Sequence, residues 1–326
     1  MISLCGDIGG TNANLCVSRC SNQIELDCID HLSTQEYLSF SDLINAYLET
    51  CDEKPTSACF AVAGVVKDQR VEMTNASLVV DAREILANTP LKRVKVINDF
   101  DAVGYAINVL DPSDFIVLNE GEVEEKGVKC ALGAGTGLGK SLLLYDEELK
   151  SYLPVSSEGG HSDFPIASEK EWIFVENLPQ PTWENLISGS GIERIYQSLQ
   201  KHRYPNEPRK MTAKEISEKR HDHELCKETF KWFVKFYARA ARNFSIELLA
   251  KGGVYLAGGI GASNQDVFGS LFMEEFTRHH LPLFRELLRK IPVNLITNYE
   301  ISLKGAAFAQ VVHSENTSVT HISSRN

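Results

Sequence analysis

The chain has 326 residues, of which 43% are hydrophobic and 24% charged, and its net charge is −11. This length accommodates two domains of ordinary size. No dense block of Lys and Arg occurs, so we expect no nucleic-acid partner, because such partners are bound largely through phosphate neutralisation. The negative charge argues against an anionic membrane surface, and no apolar run reaches the roughly 18 residues that span a bilayer. The first residues carry no basic secretory region, and we therefore expect a cytoplasmic protein.

The eight cysteines form no Cys-x-x-Cys pair, so their spacing does not support a structural zinc site. Several lie in apolar, strand-like runs such as Ala58-Cys59-Phe60. We expect reduced thiols that act as small core residues.

Apolar runs alternate with helical spacings in the first third of the chain. They predict strands at residues 4–8, 15–20, 58–66 and 94–97. Helices are predicted at residues 39–50 with Ser41 as N-cap, in the segment that begins at Asp81, and at residues 101–110. This alternation indicates an α/β fold with a largely parallel sheet.

The pattern restarts near Asp111, with strands predicted at residues 115–118, 129–133, 141–145 and 253–257. Helices are predicted at residues 169–177, 191–201, 224–250 and 302–312, before a polar tail at residues 314–326 that we expect to be disordered. A strand, a glycine loop and a second strand occur in both halves. This weak internal repetition suggests two similar halves with one phosphate loop each.

The first glycine loop, Asp7-Ile8-Gly9-Gly10-Thr11-Asn12, follows the first strand. Glycines bring backbone N–H groups close to phosphate oxygens, and Thr11 adds a hydroxyl donor. Asp7 can hold a water molecule of a nucleotide-bound Mg²⁺. An ordinary Gly-Gly hairpin turn explains the same pattern about equally well.

The second glycine loop is Gly133-Ala134-Gly135-Thr136-Gly137-Leu138-Gly139. A dinucleotide fingerprint, like a loop of the Walker A type, should be followed by a helix. Here a strand is predicted at residues 141–145. We therefore interpret the segment as a strand–turn–strand phosphate loop.

Asn98 and Asp99 end a predicted strand just before a helix. Ligands bind at such strand ends in open α/β sheets, and a helix N-terminus keeps a carboxylate ionised. Asp99 can therefore accept a proton at neutral pH. Judged by the local sequence alone, a plain N-cap role for Asp99 or Asp101 is the stronger interpretation.

Three further segments carry polar or glycine residues suited to ligands. Glu158-Gly159-Gly160-His161 combines a carboxylate with an imidazole, which suits polyol recognition, and Glu184 supplies another carboxylate. A solvated turn is the alternative. Gly258-Gly259 ends a strand, where glycines admit a flat ring against the backbone.

The order of these motifs resembles that of the bacterial glucokinases, a branch of the hexokinase and actin ATPase superfamily. Residues 7–13, 97–103 and 133–139 resemble its phosphate-1 loop, catalytic segment and phosphate-2 loop. Residues 158–164, 184–189 and 256–260 resemble two sugar-binding segments and the adenosine segment. The resemblance extends from residue 4 to about residue 312, nearly the whole chain.

The resemblance implies a two-domain α/β fold of the ribonuclease-H-like (actin-like ATPase) kind, with a cleft between the domains. The small domain is expected at residues 1–108 plus 299–326, and the large domain at residues 109–298. A homodimer is left open.

The resemblance also implies ATP-dependent phosphorylation of D-glucose to glucose 6-phosphate, with ATP and Mg²⁺ required. Asp99 would be the base on the sugar 6-hydroxyl, and Asn98, Glu158, His161 and Glu184 would hold the other hydroxyls. Asp7 would hold Mg²⁺ through water. The implied nucleotide-binding residues are Asp7, Gly9, Gly10, Thr11, Asn12, Gly135, Thr136, Gly137, Gly258 and Gly259.

Five positions depart from the family pattern: Asn14, Gly64, Ser157, Ser190 and Tyr299. Three alternatives remain beside the kinase: a sugar-responsive regulator or zinc-containing kinase of the repressor-kinase branch, an ATP-dependent assembly protein, and a pseudokinase that only binds sugar. The Asn-Asp and Glu-Gly-Gly-His segments disfavour the assembly protein. Asp7, Asp99 and both glycine loops disfavour the pseudokinase.

Overall fold

The structure is a computed structural model that describes residues 1–21, 23–73, 78–206 and 209–320. The strands and helices up to residue 119 are β1 (Ile2–Ile8), β2 (Asn12–Cys20), β3 (Ile24–Ser33), α1 (Phe40–Thr50), β4 (Ser57–Val62), β5 (Arg70–Glu72), β6 (Val79–Asp81), α2 (Ala82–Asn88), β7 (Arg93–Asn98), α3 (Asp99–Ala106) and β8 (Phe115–Asn119). Those that follow are β9 (Lys129–Ala134), β10 (Leu138–Asp146), β11 (Ser151–Ser157), α4 (Trp172–Val175), α5 (Gly189–Arg203), α6 (Ala213–Glu218), α7 (Glu224–Leu248), β12 (Gly253–Ala257), α8 (Gly259–Ser263), α9 (Ser270–Phe276), α10 (Pro282–Lys290), β13 (Val293–Ile296) and α11 (Ile301–Thr320).

The chain forms two compact units. The first contains Met1–Asp111, Asp146–Ser156 and the segment from Glu300 onward, and the second contains Pro112–Tyr145 and Ser157–Tyr299. The segment Asp146–Ser156 therefore packs with the first unit, although it lies inside the stretch assigned to the large domain from the sequence.

The first unit is built on a sheet with the strand order β3-β2-β1-β4-β7. β1 and β2 are antiparallel, as are β2 and β3, whereas β1, β4 and β7 run parallel. Every residue of β4 is buried, as expected for a central strand that is covered on both faces. Phe60 packs edge to face on Phe40 of α1, while Ala61 contacts the cluster formed with α3 and α11. The parallel strands place Asp7 and Asn98 at one edge of the sheet.

The second unit contains the strand order β10-β9-β12-β13-β8. β9 and β10 are antiparallel, β9, β12 and β13 are parallel, and β8 runs antiparallel to β13. Tyr237 of α7 is fully buried, and its hydroxyl donates to the carbonyl of Leu132 at 2.9 Å, which anchors α7 on β9. The order β10-β9-β12-β13 repeats that of β2-β1-β4-β7. The internal repetition suggested by the two glycine loops is thus present in the strand pattern.

Three predicted features near the first sheet need correction. The N-cap of α1 is Ser39, whose hydroxyl accepts from the Asp42 N–H at 3.1 Å, while the predicted cap Ser41 is buried. β4 ends at Val62 rather than at residue 66, because the chain turns at Gly64 with a φ of 133°. Helix α3 begins at Asp99, two residues earlier than predicted, and its N-cap is Asn98 rather than Asp99 or Asp101.

Two predicted helices in the rest of the chain also differ. The stretch at residues 169–177 contains a short 3₁₀ turn, Glu169–Glu171, followed by the four-residue α4. Helix α11 continues to Thr320, well into the tail expected to be disordered, and residues 321–326 lie outside the described part of the chain.

The cysteines are free thiols. Cys5, Cys16, Cys59, Cys130 and Cys226 are buried in the cores, but Cys28 is exposed, so the core role predicted for the cysteines is wrong for this residue. Within the described ranges, no helix is long and apolar enough to cross a bilayer.

Candidate active site

The first glycine loop connects β1 to β2 in an antiparallel hairpin. The Gly9 N–H donates to the Asn12 carbonyl at 2.8 Å and closes the turn, which leaves Thr11 and Asn12 exposed. Thr34, just beyond β3, supports the loop: its N–H donates to the Thr11 carbonyl, and its hydroxyl to the Gly10 carbonyl, both at 3.0 Å. The role of Thr34 was not predicted from the sequence, because the polar strand β3, which leads to Thr34, was not predicted either.

Asp7 and Asp99 lie at the sheet edge of the first unit, where the charge of Asp7 acts on Asp99. Burial raises the pKa of Asp7 to about 6, against a hydrogen bond with Asn14 that lowers it. Burial first, and the nearby charge of Asp7 second, raise the pKa of Asp99 to about 6, although the Phe100 N–H donates to its carboxylate at 2.9 Å. Both groups are therefore mostly ionised at neutral pH, yet each is far better placed to take up a proton than an exposed carboxyl.

Asn98 holds Asp99 in position. Its side-chain oxygen accepts from the N–H groups of Phe100 and Asp101 at 2.8 and 3.3 Å, and so caps α3. Its amide nitrogen donates to the Gly64 carbonyl at 3.0 Å. Because its side-chain oxygen already caps the helix, Asn98 can bind a ligand mainly by donating its second amide hydrogen.

The second glycine loop connects β9 to β10. The Gly135 N–H donates to the Gly137 carbonyl at 2.9 Å, and the Gly189 N–H donates to the Gly135 carbonyl at 2.9 Å. The predicted strand after this loop is confirmed, since Lys140 lies in β10 and is buried, with its ammonium 5.2 Å from the Phe244 ring centre. A dinucleotide fingerprint or a Walker A loop would instead require a helix here.

Glu158, His161 and Glu184 come together in the second unit. The two imidazole nitrogens of His161 lie 4.0 Å from the Glu158 carboxylate and 3.8 Å from that of Glu184. Glu158 and His161 side chains are 64% and 62% exposed, whereas Glu184 is 31% exposed. The cluster therefore presents two carboxylates and an imidazole to a ligand, a donor and acceptor set that suits paired hydroxyls.

Glu184 also belongs to the second glycine loop, a link that the sequence did not reveal. Its carboxylate accepts from the Leu138 N–H at 2.9 Å, and its own N–H donates to the Gly160 carbonyl at 2.9 Å. Since 46 residues separate Glu184 from Leu138, no local pattern could indicate the contact.

Gly258 and Gly259 lie where β12 ends and α8 begins. Gly258 has a φ of 92°, and a Cβ there would lie 2.4 Å from the Ala134 carbonyl oxygen. Only glycine therefore allows the chain to pass so close to the end of β9. The parallel pairing of β12 with β9 brings this segment beside the start of the second glycine loop.

Each departure from the family pattern finds a local partner. Asn14 contacts His31 at 2.7 Å, and Ser157 accepts from the Gly159 N–H at 3.1 Å. Ser190 lies 3.1 Å from the Ser188 hydroxyl, and Tyr299 bonds Ser263 at 2.8 Å. Gly64 accepts the Asn98 amide already described. None of these contacts occupies the Asp99 carboxylate.

Comparison with known proteins shows which family the chain resembles. A family model described as "Glucokinase" matches residues 4–313. A glucokinase of Saccharophagus degradans is 33% identical over 92% of this chain and 95% of its own length. The crystal structure of a glucokinase from an Antarctic psychrotroph superposes with a TM-score of 0.83 at 27% identity, covering 96% of this chain and 99% of that one.

A more distant structure has the same fold. A ROK family glucokinase from Streptomyces griseus in complex with glucose and AMPPNP matches with a TM-score of 0.65 at 16% identity, over 94% of this chain and 98% of that chain. The fold is thus the α/β fold of the actin-like ATPases, the class that includes these sugar kinases. Within that class, the chain belongs to the glucokinase family, and the resemblance noted in its sequence is confirmed.

Proposed function

We propose that this chain transfers the γ-phosphate of ATP to the 6-hydroxyl of D-glucose, in the cytoplasm, with Asp99 as the base. One observation supports the role of Asp99 above all: its half-buried carboxylate has a pKa raised to about 6 and lies at the ligand-binding edge of the sheet. A base with that pKa is ionised before the reaction and can accept the hydroxyl proton late in the transfer.

Glu158, His161 and Glu184 recognise the hydroxyls that do not react. The exposed carboxylate of Glu158 and the imidazole of His161 can each bind a hydroxyl, and the Leu138 N–H fixes the direction of Glu184. Asn98 contributes its remaining amide hydrogen. Such positioning matters because phosphoryl transfer depends mostly on alignment of the hydroxyl with the phosphorus.

The two glycine loops bind the phosphates, through residues 9–12 and 135–137, and Gly258 and Gly259 lie against the adenosine. The residues present also fit Mg²⁺. The charge of Asp7 raises the cost of ionising Asp99, which a cation would relieve, and Mg²⁺ is usually held by one or two carboxylates, water and substrate phosphates.

Asp7 would hold this ion through a water molecule, and the ion would neutralise phosphate charge when bound. The Asp99 carboxylate remains the group that receives the proton.

A coupled assay of ADP formation with a panel of hexoses tests the proposal. We expect turnover with glucose and a product that phosphorus NMR identifies as the 6-phosphate. The matched control is 6-deoxyglucose, which retains the hydroxyls read by Glu158, His161 and Glu184 but lacks the acceptor. It should inhibit competitively against glucose without being phosphorylated. Phosphorylation of 6-deoxyglucose, or no turnover with any hexose, would contradict the proposal.

A further inference from the structure

Two cysteine thiols meet on the outside of the first unit. Cys28 is exposed in β3, and Cys51 is buried directly after α1. Their sulfur atoms lie 2.6 Å apart, which is closer than two non-bonded sulfur atoms pack. A disulfide bond requires a separation of about 2.05 Å, so only a small movement is needed to form it.

Contacts to the backbone of Cys28 and Cys51, rather than the contact between the thiols, hold the two residues in place. In the β2–β3 pairing, Leu15 faces Asp30 but Val17 faces Asp27, so β3 bulges at Cys28. Cys28 has a φ of 53°, and its carbonyl accepts from the Tyr47 hydroxyl of α1 at 2.6 Å. On the other side, the Lys54 ammonium donates to the Cys51 carbonyl at 2.7 Å. The arrangement is therefore fixed by contacts that do not depend on the redox state of the cysteines.

We propose that Cys28 and Cys51 are a modification site, at which a low-molecular-weight disulfide such as glutathione disulfide forms a reversible protein disulfide. The Cys28 thiolate attacks one sulfur of the reagent and releases one thiol, which leaves a mixed disulfide. Cys51 loses its proton, attacks the Cys28 sulfur and releases the second thiol. Two protein thiols are oxidised and one reagent disulfide is reduced, so protons and electrons balance.

The other cysteines do not offer the same chemistry. Cys5 and Cys16 face each other across β1 and β2, but both are fully buried. Cys59 is buried within β4 of the same unit. Among the residues that the structure describes, Cys28 is the exposed cysteine, and it has a neighbouring thiol.

The hydrogen bond to Cys51, with burial second, raises the pKa of the Cys28 thiol. Because the thiolate is the reacting form, oxidation should be slow near neutral pH and faster in mildly alkaline buffer. In a reducing compartment, such a bond would be transient.

The bond would close a loop between cysteines 23 positions apart and join β3 to the end of α1. β3 leads directly to Thr34, which supports the first glycine loop. The disulfide would therefore hold the bulge and the strand register beside that loop, and it should stabilise the folded unit by restricting the unfolded chain.

The experiment incubates the full chain with glutathione disulfide and maps the cysteine peptides by mass spectrometry. We expect a Cys28–Cys51 cross-linked peptide, loss of two hydrogen atoms from the intact mass, and reversal by dithiothreitol. The oxidised protein should melt about 5 °C or more above the reduced protein. Cys51→Ser should instead retain one glutathione on Cys28, while Cys20→Ser should form the cross-link normally.

A wild-type chain that keeps glutathione on Cys28, or that cross-links Cys28 to another cysteine, would overturn the proposal. So would a wild-type chain in which both thiols stay free while an exposed control peptide thiol is fully modified. The peptide map of the wild type decides the question even if a variant does not fold. No kinase activity is measured, so this result is independent of the proposed function.

Discussion

The two glycine loops have the same place in two similar sheets, but the carboxylates beside them come from different parts of the chain. In the first unit, Asp7 belongs to the strand that precedes the loop, and Asp99 follows β7, two strands away. In the second unit, the carboxylate at the loop is Glu184, which comes from the segment before α5 and bonds the Leu138 N–H at 2.9 Å.

This difference separates two kinds of chemistry. Burial raises the pKa values of Asp7 and Asp99 to about 6, and the charge of Asp7 adds to the effect on Asp99, so the two carboxylates suit a proton and a cation. Glu158 and His161 are exposed and grouped with Glu184, so they suit neutral hydroxyls. Under the proposed function, the duplicated sheet would place the reaction chemistry in one unit and most of the sugar recognition in the other.

The largest effect is expected for Asp99→Asn, which keeps the shape of the side chain but cannot accept a proton. We expect kcat to fall by about 10²–10⁴, the usual loss for a general base, while the glucose Kd changes far less. Asp101→Asn is the matched control on the same helix turn, where the carboxylate bonds Ser156 at 2.6 Å, and it should retain most of its turnover. Steady-state kinetics and glucose titration of both variants measure this. Near-normal turnover of Asp99→Asn, or loss in Asp101→Asn alone, would show that the base is assigned incorrectly.

Glu158→Gln tests the recognition side of the comparison. A charge-assisted hydrogen bond contributes about 1.5–3 kcal/mol, so glucose binding should weaken by roughly 10- to 100-fold while ATP binding stays nearly unchanged. Glu120→Gln changes an exposed carboxylate of the same unit and should leave both affinities alone. Calorimetric titration with each substrate separates the two. An unchanged glucose affinity in Glu158→Gln would remove this residue from the site.

The positions of both glycine loops could be predicted from the sequence, because each motif is a short local pattern at a strand end. The strands around the loops were predicted for the same reason, since buried apolar runs such as residues 58–62 are distinctive. By contrast, β3 carries Glu25, Asp27 and Asp30, has no buried residue and was missed, and with it the support that Thr34 gives to the first loop.

Long-range electrostatics could not be predicted from the sequence either. The raised pKa of Asp99 depends first on burial and second on Asp7, which precedes it by more than ninety positions in the sequence. The sugar-binding role of Asn98 stays a prediction, whereas the cap that its oxygen forms on α3 was not predicted, because the pattern alone did not locate the start of this helix to within two residues.

The pH dependence of kcat/KM tests the Asp7 and Asp99 pair. We expect a smaller effect on the rate here than for the substitutions above. Because Asp99 must be ionised, kcat/KM for glucose should fall about tenfold per pH unit below pH 6, with an apparent pKa that belongs to the pair. A pH–rate profile measures this. A profile that stays flat down to pH 5 would contradict an ionised base with this pKa.

The raised pKa values of Asp7 and Asp99 favour proton uptake in the reaction, but they lower the stability of the folded protein at neutral pH. Each folded-state pKa of about 6 lies above the ordinary aspartate pKa of about 3.9, so each carboxyl opposes folding at pH 7 by about 1–3 kcal/mol. This cost decreases as the pH falls through 6 toward 4. Asp7→Asn should therefore raise the free energy of unfolding at pH 7, and by less at pH 5. Urea unfolding at both pH values measures the difference, and a destabilised variant at pH 7 would contradict the sign.

The smallest effect should come from Gly137→Ala, which tests whether the second loop and the sugar site are coupled through Glu184. A Cβ on Gly137 would lie 2.5 Å from the Glu184 carboxylate, so that carboxylate must move and lose its bond to the Leu138 N–H. Loss of one such contact should raise KM for glucose about three- to tenfold. Gly135→Ala is the matched control two residues away, where a Cβ would meet no atom within 4 Å, so it should leave KM for glucose unchanged. Both alanines stiffen the same loop, so a comparable change in KM for ATP is expected in the two variants. Equal effects of the two alanines on KM for glucose would show that sugar binding does not depend on the bond between Glu184 and the loop.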